Sequence, residues 1–251
     1  MKTKIQIKSI FGEILFEYEK ENNSIEKTLM VALKQNADLR GADLRGANLE
    51  GTDLRGTDLR SADLRSADLR GADLRGANLE GTDLRGTDLR GTDLRSADLR
   101  GADLRGANLE GTDLRGTDLR YANLEGTNLR NTNLIGTNLG GANLRNTDLR
   151  KANLIGTNLG GADLRNASLP IYCKWSVVFN SKKIKIGCEE KTVDEWEEWF
   201  NNSNEKFYTP RDTEDFARIN AMFNACRAYI TTMNEYEKTK KDTNNSYEKN
   251  T

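Results

Sequence analysis

Leucine recurs at every fifth position without interruption from Leu39 to Leu169, which makes 27 consecutive units. Two residues before each leucine the chain carries alanine or threonine. The residue between them is aspartate in 16 units, asparagine in ten and serine in the last. The residue after leucine is arginine in 18 units, and the fifth position is usually glycine or serine. Each unit therefore alternates a small residue, a polar residue and leucine, and then adds two further residues.

A period of five fits neither a continuous helix nor a straight strand. On an α-helix successive leucines would be rotated by about 140°, so no face would be apolar, and each interior glycine would cost about 1 kcal/mol. On a straight strand an odd period would send successive leucines to opposite faces. A chain that bends once per unit keeps every leucine on one side, with glycine, serine or asparagine at the bend. The pattern therefore predicts a mainly β solenoid.

The repeated Ala-Asp-Leu-Arg sequence, as in Gly41–Arg45 and Gly101–Arg105, resembles the pentapeptide-repeat family. The resemblance covers residues 36–170 and implies a right-handed quadrilateral β-helix with four pentapeptides per coil. On that geometry the 27 units form nearly seven coils. The rod would be roughly 32 Å long at about 4.8 Å per coil. Its leucines would stack in four internal columns.

The flanking segments predict small α+β caps, because an open solenoid end exposes unpaired backbone groups. In residues 1–35, the alternation over residues 4–18 around Gly12 predicts a β-hairpin. Ser24 is then expected to cap a short helix. In residues 171–237, the pattern predicts a hairpin with a two-residue turn at Asn180 and Ser181. The expected pairs are Trp175 with Ile186, Val177 with Ile184, and Cys173 with Cys188.

After this hairpin, Thr192 and Glu195 have the spacing of a capping box that opens a short helix. Thr209 and Pro210 predict the start of a longer helix. Residues 238–251 are rich in lysine, asparagine and serine, which predicts a disordered tail.

The longer helix carries an apolar stripe at heptad spacing. Its members are Phe216, Ile219, Phe223, Cys226, Ile230 and Met233. One hypothesis is that the stripe packs on the same chain, over the last coil or against the helix around Trp196 and Phe200. The other is that two copies pair through it as a homodimer. We expect part of the stripe to pack within the chain and the remainder to pair.

The outward positions differ between the two halves of the repeat region. Residues 36–120 carry 14 arginines against 14 aspartates and three glutamates, whereas residues 121–170 carry five basic and three acidic residues. In the second half, residues 133–146 and 153–166 are almost the same sequence one predicted coil apart. This repetition stacks Ile135 on Ile155 at outward positions. The small apolar patch is either covered by the C-terminal segment or is a docking face for a partner.

The composition argues against catalysis. The chain has no histidine, which removes the commonest general base and metal ligand. Its three cysteines lack the spacing of a zinc site. Carboxylates are spread evenly over the predicted rod and so lack the unequal environments that separate catalytic pKa values. We therefore expect no catalytic residues, cofactor or metal.

The N-terminus lacks the apolar stretch of a secretory signal, and no apolar run is long enough to span a bilayer. We expect a cytoplasmic protein without direct contact to membrane or nucleic acid.

Two functions remain. The first is a non-catalytic scaffold that presents a rigid surface to a protein partner, whose identity the sequence does not specify. The second follows from the resemblance, because some pentapeptide-repeat proteins mimic DNA and bind type II topoisomerases such as gyrase. Mimicry requires a strongly negative rod. The repeats sum to 19 basic and 20 acidic residues, which favours the scaffold.

Overall fold

The computed structural model describes residues 2–169, 177–179, 183–186, 189–201, 216–217, 219–221, 223–228 and 230–231. Outside the solenoid bridges its elements are β1 (Lys2–Ser9), β2 (Ile14–Glu21), α1 (Ile25–Lys34), β3 (Ala42–Asp43), β4 (Val177–Phe179), β5 (Lys183–Ile186), β6 (Glu189–Thr192) and α2 (Val193–Asn201). The described residues between 216 and 231 are also helical.

The repeat region is a stack of coils, each 20 residues long. Parallel bridges join the Asp/Asn position of each unit to the same position 20 residues later, from Asp43 with Asp63 through to Asp148 with Ser168. Between coils the Leu44 amide donates to the Asp63 carbonyl (2.8 Å), and the Asp63 amide donates to the Ala42 carbonyl (2.9 Å). Twenty residues are four pentapeptides, so the predicted solenoid with four units per coil is confirmed.

Each unit bends through one tight turn. The Ala42 amide donates to the Leu39 carbonyl (3.1 Å), and the residue before it, Gly41, has φ of +66°. This combination is the pattern of a type II turn, whose third position favours glycine. Serine and asparagine occupy the same position elsewhere, with φ between +55° and +58°. The prediction of glycine, serine or asparagine at the bends is confirmed, with Tyr121 and Lys151 as exceptions.

The interior of the coils is filled by leucine together with alanine or threonine. Every repeat leucine from Leu39 to Leu164 is buried, and full burial of such a side chain contributes about 1.5–3 kcal/mol before entropy is subtracted. Buried threonines keep their hydroxyls satisfied. Thr82 Oγ1 donates to the Leu59 carbonyl in the preceding coil (3.0 Å), and Thr112 Oγ1 donates likewise to Leu89 (2.8 Å). These hydroxyls link neighbouring coils from inside the rod.

The N-terminal segment forms the predicted hairpin and joins the first coil. Strand β1 pairs antiparallel with β2, and Ser9 on its other edge pairs with Ala42 of β3. Ser24 caps α1, since its side chain accepts a hydrogen bond from the Lys27 amide. Leu29 of α1 is fully buried in the same apolar cluster as the repeat leucines. The predicted hairpin and helix cap residue are both confirmed.

The C-terminal sheet has the order β4-β5-β6, and its register corrects the sequence-based expectation. Val177 pairs with Ile186 and Phe179 pairs with Ile184, whereas the two-residue turn predicted Val177 opposite Ile184. The observed register is displaced by two residues. Because side chains alternate with a period of two, this displacement leaves the same residues on the same face. The alternating pattern therefore could not distinguish the two registers.

Helix α2 begins with the predicted capping box. The Thr192 amide donates to Glu195 Oε2 (2.7 Å), and the Glu195 amide donates to Thr192 Oγ1 (3.3 Å). On the buried side of the helix, Trp196 Nε1 donates to the Ile184 carbonyl (2.7 Å). This bond attaches α2 to the middle strand of the C-terminal sheet.

Several expectations lie outside the described residues. They concern Trp175 and its pairing, Cys173 and Cys188, the turn at Asn180 and Ser181, the helix start at Thr209 and Pro210, Met233, and the tail at 238–251.

Candidate interaction surfaces

The charged surface of the rod is built from a local ion pair within each Asp-Leu-Arg unit. Arg45 Nε donates to Asp43 Oδ1 (2.7 Å) and Nη2 donates to Oδ2 (2.6 Å). The Arg45 backbone amide also donates to Asp43 Oδ1 (3.3 Å). Arg45 Nε further lies 3.7 Å from Asp63 Oδ2 in the next coil. The arginines therefore neutralise the aspartates pair by pair, and the contacts extend from coil to coil.

This pairing lowers the aspartate pKa values. Hydrogen bonds from the arginine two residues along, first from its side chain and then from its backbone, lower the pKa of Asp38 and of Asp53 to about 2. The pKa of Asp43 is lowered by the same side-chain hydrogen bond, against the effect of burial. These carboxylates are therefore ionised at neutral pH and engaged by arginine, which suits them to structure rather than to proton transfer.

The last two coils carry a surface without any charge, which we call the uncharged face. It consists of Asn133, Ile135, Asn138, Gly140 and, one coil later, Asn153, Ile155, Asn158 and Gly160. Ile135 is 36% exposed, whereas Ile155 is half-buried. Asn158 Nδ2 donates to Asn138 Oδ1 (3.0 Å). Stacked amides and isoleucines thus replace the ion pairs found earlier in the rod.

Tyr121 lies at the edge of the uncharged face, and the sequence analysis missed it. It occupies a bend with φ of +60°, where most units have glycine, and it is 75% exposed. Its ring covers Gly141, where an added Cβ would lie 2.7 Å from two ring carbons. The available signal in the sequence was a tyrosine at the fifth position, where most other units have glycine or serine.

The described members of the apolar stripe of the C-terminal helix are covered by the chain itself. Phe216, Ile219, Phe223 and Ile230 are only 2–9% exposed and form one cluster with Trp196 and Ile184. The Phe200 and Phe223 rings stack at 4.8 Å. Ala221 and Ala225, elsewhere on the helix, belong to the same cluster as the repeat leucines. We expected part of this stripe to be left for a second copy. These four residues belong to the part that packs within the chain, because α2 and β5 contribute the apolar side chains that bury them. Pairing of a second copy through the remainder of the stripe stays a prediction.

The tip of the first hairpin exposes Ile10, Phe11 and Ile14, with Phe11 87% exposed.

Among the residues that the structure describes, no group of histidine, cysteine and carboxylate side chains could bind a metal ion. No helix in the same part of the chain has the length and apolar character needed to cross a bilayer.

Comparison with known proteins agrees with this architecture. The family model described as pentapeptide repeats matches in 8 copies, over residues 37–76, 62–101, 72–111, 97–136 and 132–169. A pentapeptide repeat protein from the thylakoid lumen of Arabidopsis thaliana is 40% identical over 42% of this chain and 70% of that one, with a TM-score of 0.27. A pentapeptide repeat protein from Nostoc PCC 7120 is 30% identical over 60% of this chain and 88% of that one, with a TM-score of 0.28.

QnrB1, a plasmid-mediated fluoroquinolone resistance protein, is 20% identical over 52% of this chain and 73% of that one, with a TM-score of 0.24. No curated protein matches the sequence. The family matches run from residue 37 to residue 169, which is more than half of the 251 residues. The chain therefore belongs to the pentapeptide-repeat family.

Proposed function

We propose that this protein is a non-catalytic scaffold that presents a rigid surface to a protein partner. Its repeats form a right-handed, four-sided β-helix, and the terminal elements cap it. The pairing of β1 with β3 supports a cap at the first coil. At the other end, Leu169 packs against the apolar cluster around Trp196. Pentapeptide-repeat proteins are generally structural rather than catalytic, which supports the same role here.

The observation that carries the proposal is the uncharged face. Interface centres are depleted in charged residues and enriched in tyrosine. Most units in residues 36–120 carry an aspartate and an arginine at outward positions, whereas residues 131–144 carry no charge. Exposed Ile135 lies on this face, and Tyr121 lies at its edge with its ring over Gly141. An uncharged surface with one aromatic side chain at its edge fits the centre of a protein–protein interface.

Affinity capture from a lysate of the source organism, followed by quantitative mass spectrometry, tests the proposal. We expect the wild-type chain to retain one protein in stoichiometric amount. Ile135→Asp and Tyr121→Gly should each reduce its recovery by about tenfold or more, the usual loss for a central interface residue. Arg75→Gln is the matched control, since Arg75 precedes Ile135 by three coils in the same column. Equal recovery by all variants, with circular dichroism unchanged, would contradict a partner at this face.

The second candidate is a DNA mimic that acts on a type II topoisomerase, and the likeness to QnrB1 brings it into consideration. The repeat charges disfavour it, because 19 basic residues oppose 20 acidic ones and most aspartates are paired with arginine. Duplex DNA carries one negative charge per about 1.7 Å. We expect no inhibition of gyrase supercoiling at micromolar protein. Stoichiometric inhibition that disappears when surface aspartates are reversed in charge would favour this candidate instead.

A further inference from the structure

In the part of the chain that the structure describes, Arg130 and Arg145 form no hydrogen-bonded ion pair with a carboxylate. Each still interacts through its charge with an aspartate in the next coil, Arg130 with Asp148 and Arg145 with Asp163. Arg130 and Arg145 follow asparagine, not aspartate, at the position two residues earlier. Their backbone amides donate to Asn128 Oδ1 and Asn143 Oδ1, each at 3.1 Å. The Nε atoms of both arginines are buried without a hydrogen-bond partner. Both residues are half-buried overall, so part of each side chain remains at the surface.

Arg70 and Arg100 occupy equivalent positions in earlier units, and there both an aspartate and a glutamate are bonded to the arginine. Arg70 Nε donates to Asp68 Oδ1 (2.8 Å), and its Nη2 also reaches Glu50 Oε2 one coil earlier (2.9 Å). Arg100 pairs in the same way with Asp98 and with Glu80 (3.1 Å). Arg70 Nε also lies 3.9 Å from Asp88 Oδ2 in the next coil. Each of these arginines therefore has at least two close carboxylate partners.

Arg130 and Arg145 also have a glutamate exactly one coil earlier, but another residue binds it. Glu110 accepts a hydrogen bond from Asn131 Nδ2 (3.2 Å), and Glu125 accepts one from Asn146 Nδ2 (3.5 Å). At the corresponding bends after Arg70 and Arg100 the chain has Gly71 and Gly101, which offer no side-chain donor. Two changes thus coincide at both sites, since the local aspartate is replaced and the glutamate is engaged elsewhere.

We propose that Arg130 and Arg145 bind the carboxylates of an acidic segment of a protein partner. Because the Nε atoms are buried, a partner carboxylate would contact the Nη groups, which carry four of the five guanidinium donors. The exposed Lys151, in the coil after Arg130, adds positive charge beside the first site. The proposal rests on the scaffold function and states the chemistry of its partner. It uses other faces of the coils than the one that carries Ile135.

The remaining carboxylates select a peptide over a nucleic acid. Asp148 accepts hydrogen bonds from Arg150, and Asp163 is paired with Arg165, in the coils next to Arg130 and Arg145. Glu110 and Glu125 are also close by, through their bonds to the two asparagines. A continuous phosphate backbone would be repelled by these negative groups. A peptide can place single carboxylates at two points and leave the space between them uncharged.

Fluorescence anisotropy with a labelled peptide of alternating glutamate and glycine tests this inference at low ionic strength. We expect the wild-type chain to bind it, and Arg130→Gln with Arg145→Gln to weaken binding by about tenfold or more, the loss of a charge-assisted hydrogen bond. The matched control is Arg70→Gln with Arg100→Gln, which should bind like the wild type because those arginines are already occupied. Equal weakening by both pairs, or no binding by the wild type at millimolar peptide, overturns the proposal.

A second pair of variants tests the same idea without removing an arginine. Asn128→Asp with Asn143→Asp restores the aspartates found before Arg70 and Arg100, so both guanidiniums should be engaged internally and peptide binding should fall by a similar factor. Wild-type affinity in this pair contradicts the inference. Single-stranded DNA of the same net charge is the other arm, and tighter binding of DNA than of peptide overturns the choice of partner. If capture depends on Ile135 but the peptide does not bind, the scaffold function stands and this inference fails.

Discussion

Each bend of the rod places one residue in the left-handed backbone region, where an L side chain costs about 1–2 kcal/mol. Most units avoid this cost with glycine, and Tyr121 and Lys151 are the bulky exceptions, with φ of +60° and +61°. A strained backbone position that carries a large exposed side chain is a reason to suspect a function. At the residue scale, Tyr121 is therefore the single residue that most strongly indicates a function for the uncharged face.

The contact between Tyr121 and Gly141 predicts a coupled pair of substitutions. Gly141→Ala should destabilise the protein by more than the backbone cost of about 1–2 kcal/mol, because its Cβ would lie 2.7 Å from the Tyr121 ring. Gly101→Ala is the control, since φ there is +65° and nothing lies within 4 Å of the added Cβ. Urea denaturation of both variants measures the difference. In a Tyr121→Gly background Gly141→Ala should cost no more than Gly101→Ala, and an unchanged excess would refute the contact.

At the scale of the elements, the C-terminal helices and sheet form one apolar cluster against the end of the repeats. The cluster joins Trp196 of α2, Ile184 of β5 and Phe223 of the last helix, while Ala225 reaches the repeat core. An ion pair between Arg227 and Glu197 links the two helices. The last helix therefore contacts both the repeat coils and the elements α2 and β5, which lie between the repeats and this helix in the chain.

Replacing Phe223 by aspartate tests whether this cluster covers the end of the array. Phe223 is 2% exposed, so an uncompensated carboxylate there should detach the helix, at a cost of several kcal/mol for burying a charge. We expect the exposed coil to associate with other copies, measured as large, heterogeneous mass in light scattering. Asn224→Asp, on a half-buried neighbour, should keep the wild-type mass. A discrete halving of mass would instead support a dimer through the stripe.

At the scale of the whole molecule, charges cancel where they arise. The chain has a formal net charge of −1, with 38 basic and 39 acidic residues. Within each Asp-Leu-Arg unit the arginine pairs with the aspartate, so the opposite charges are also balanced locally. A surface of this kind produces little long-range attraction for charged partners. Local departures from the pattern, such as Arg130 and Arg145, consequently matter more than the total.

The lowered aspartate pKa values predict how stability depends on pH. A carboxyl with a folded-state pKa below its unfolded value of about 3.9 stabilises the fold above that value, and this contribution is lost as pH falls through the folded pKa. Asp38 and Asp53 titrate at about 2, and the chain has no histidine to titrate near neutrality. The urea midpoint should be constant from about pH 7 to pH 5 and fall between about pH 4 and pH 2. A loss that begins above about pH 5.5 would show that other groups dominate.

The repeat by itself determined the solenoid, its four units per coil through the family resemblance, the bends and the burial of leucine. The solenoid, the bends and the burial of leucine follow from the period of five residues, which leaves no other way to keep every leucine on one side. The number of units per coil was implied by the family resemblance alone. The capping residues Ser24 and Thr192 were also readable, because capping depends on residues within a few positions of each other. The near-equal numbers of basic and acidic residues in the repeats were also readable, and the structure shows that Asp and Arg pair within each unit.

Only the tertiary structure decided the features that depend on residues far apart in the chain. The stripe at Phe216, Ile219, Phe223 and Ile230 has a spacing that suits a partner helix equally well, and packing against α2 and β5 decided that it is buried within the chain. The register of the C-terminal hairpin was ambiguous because a shift of two residues preserves the faces. The unpartnered Nε atoms of Arg130 and Arg145 could be recognised only from the structure, in which Glu110 and Glu125 accept hydrogen bonds from asparagines one coil later. Contacts between coils decide which charges are paired, and the local pattern does not contain them.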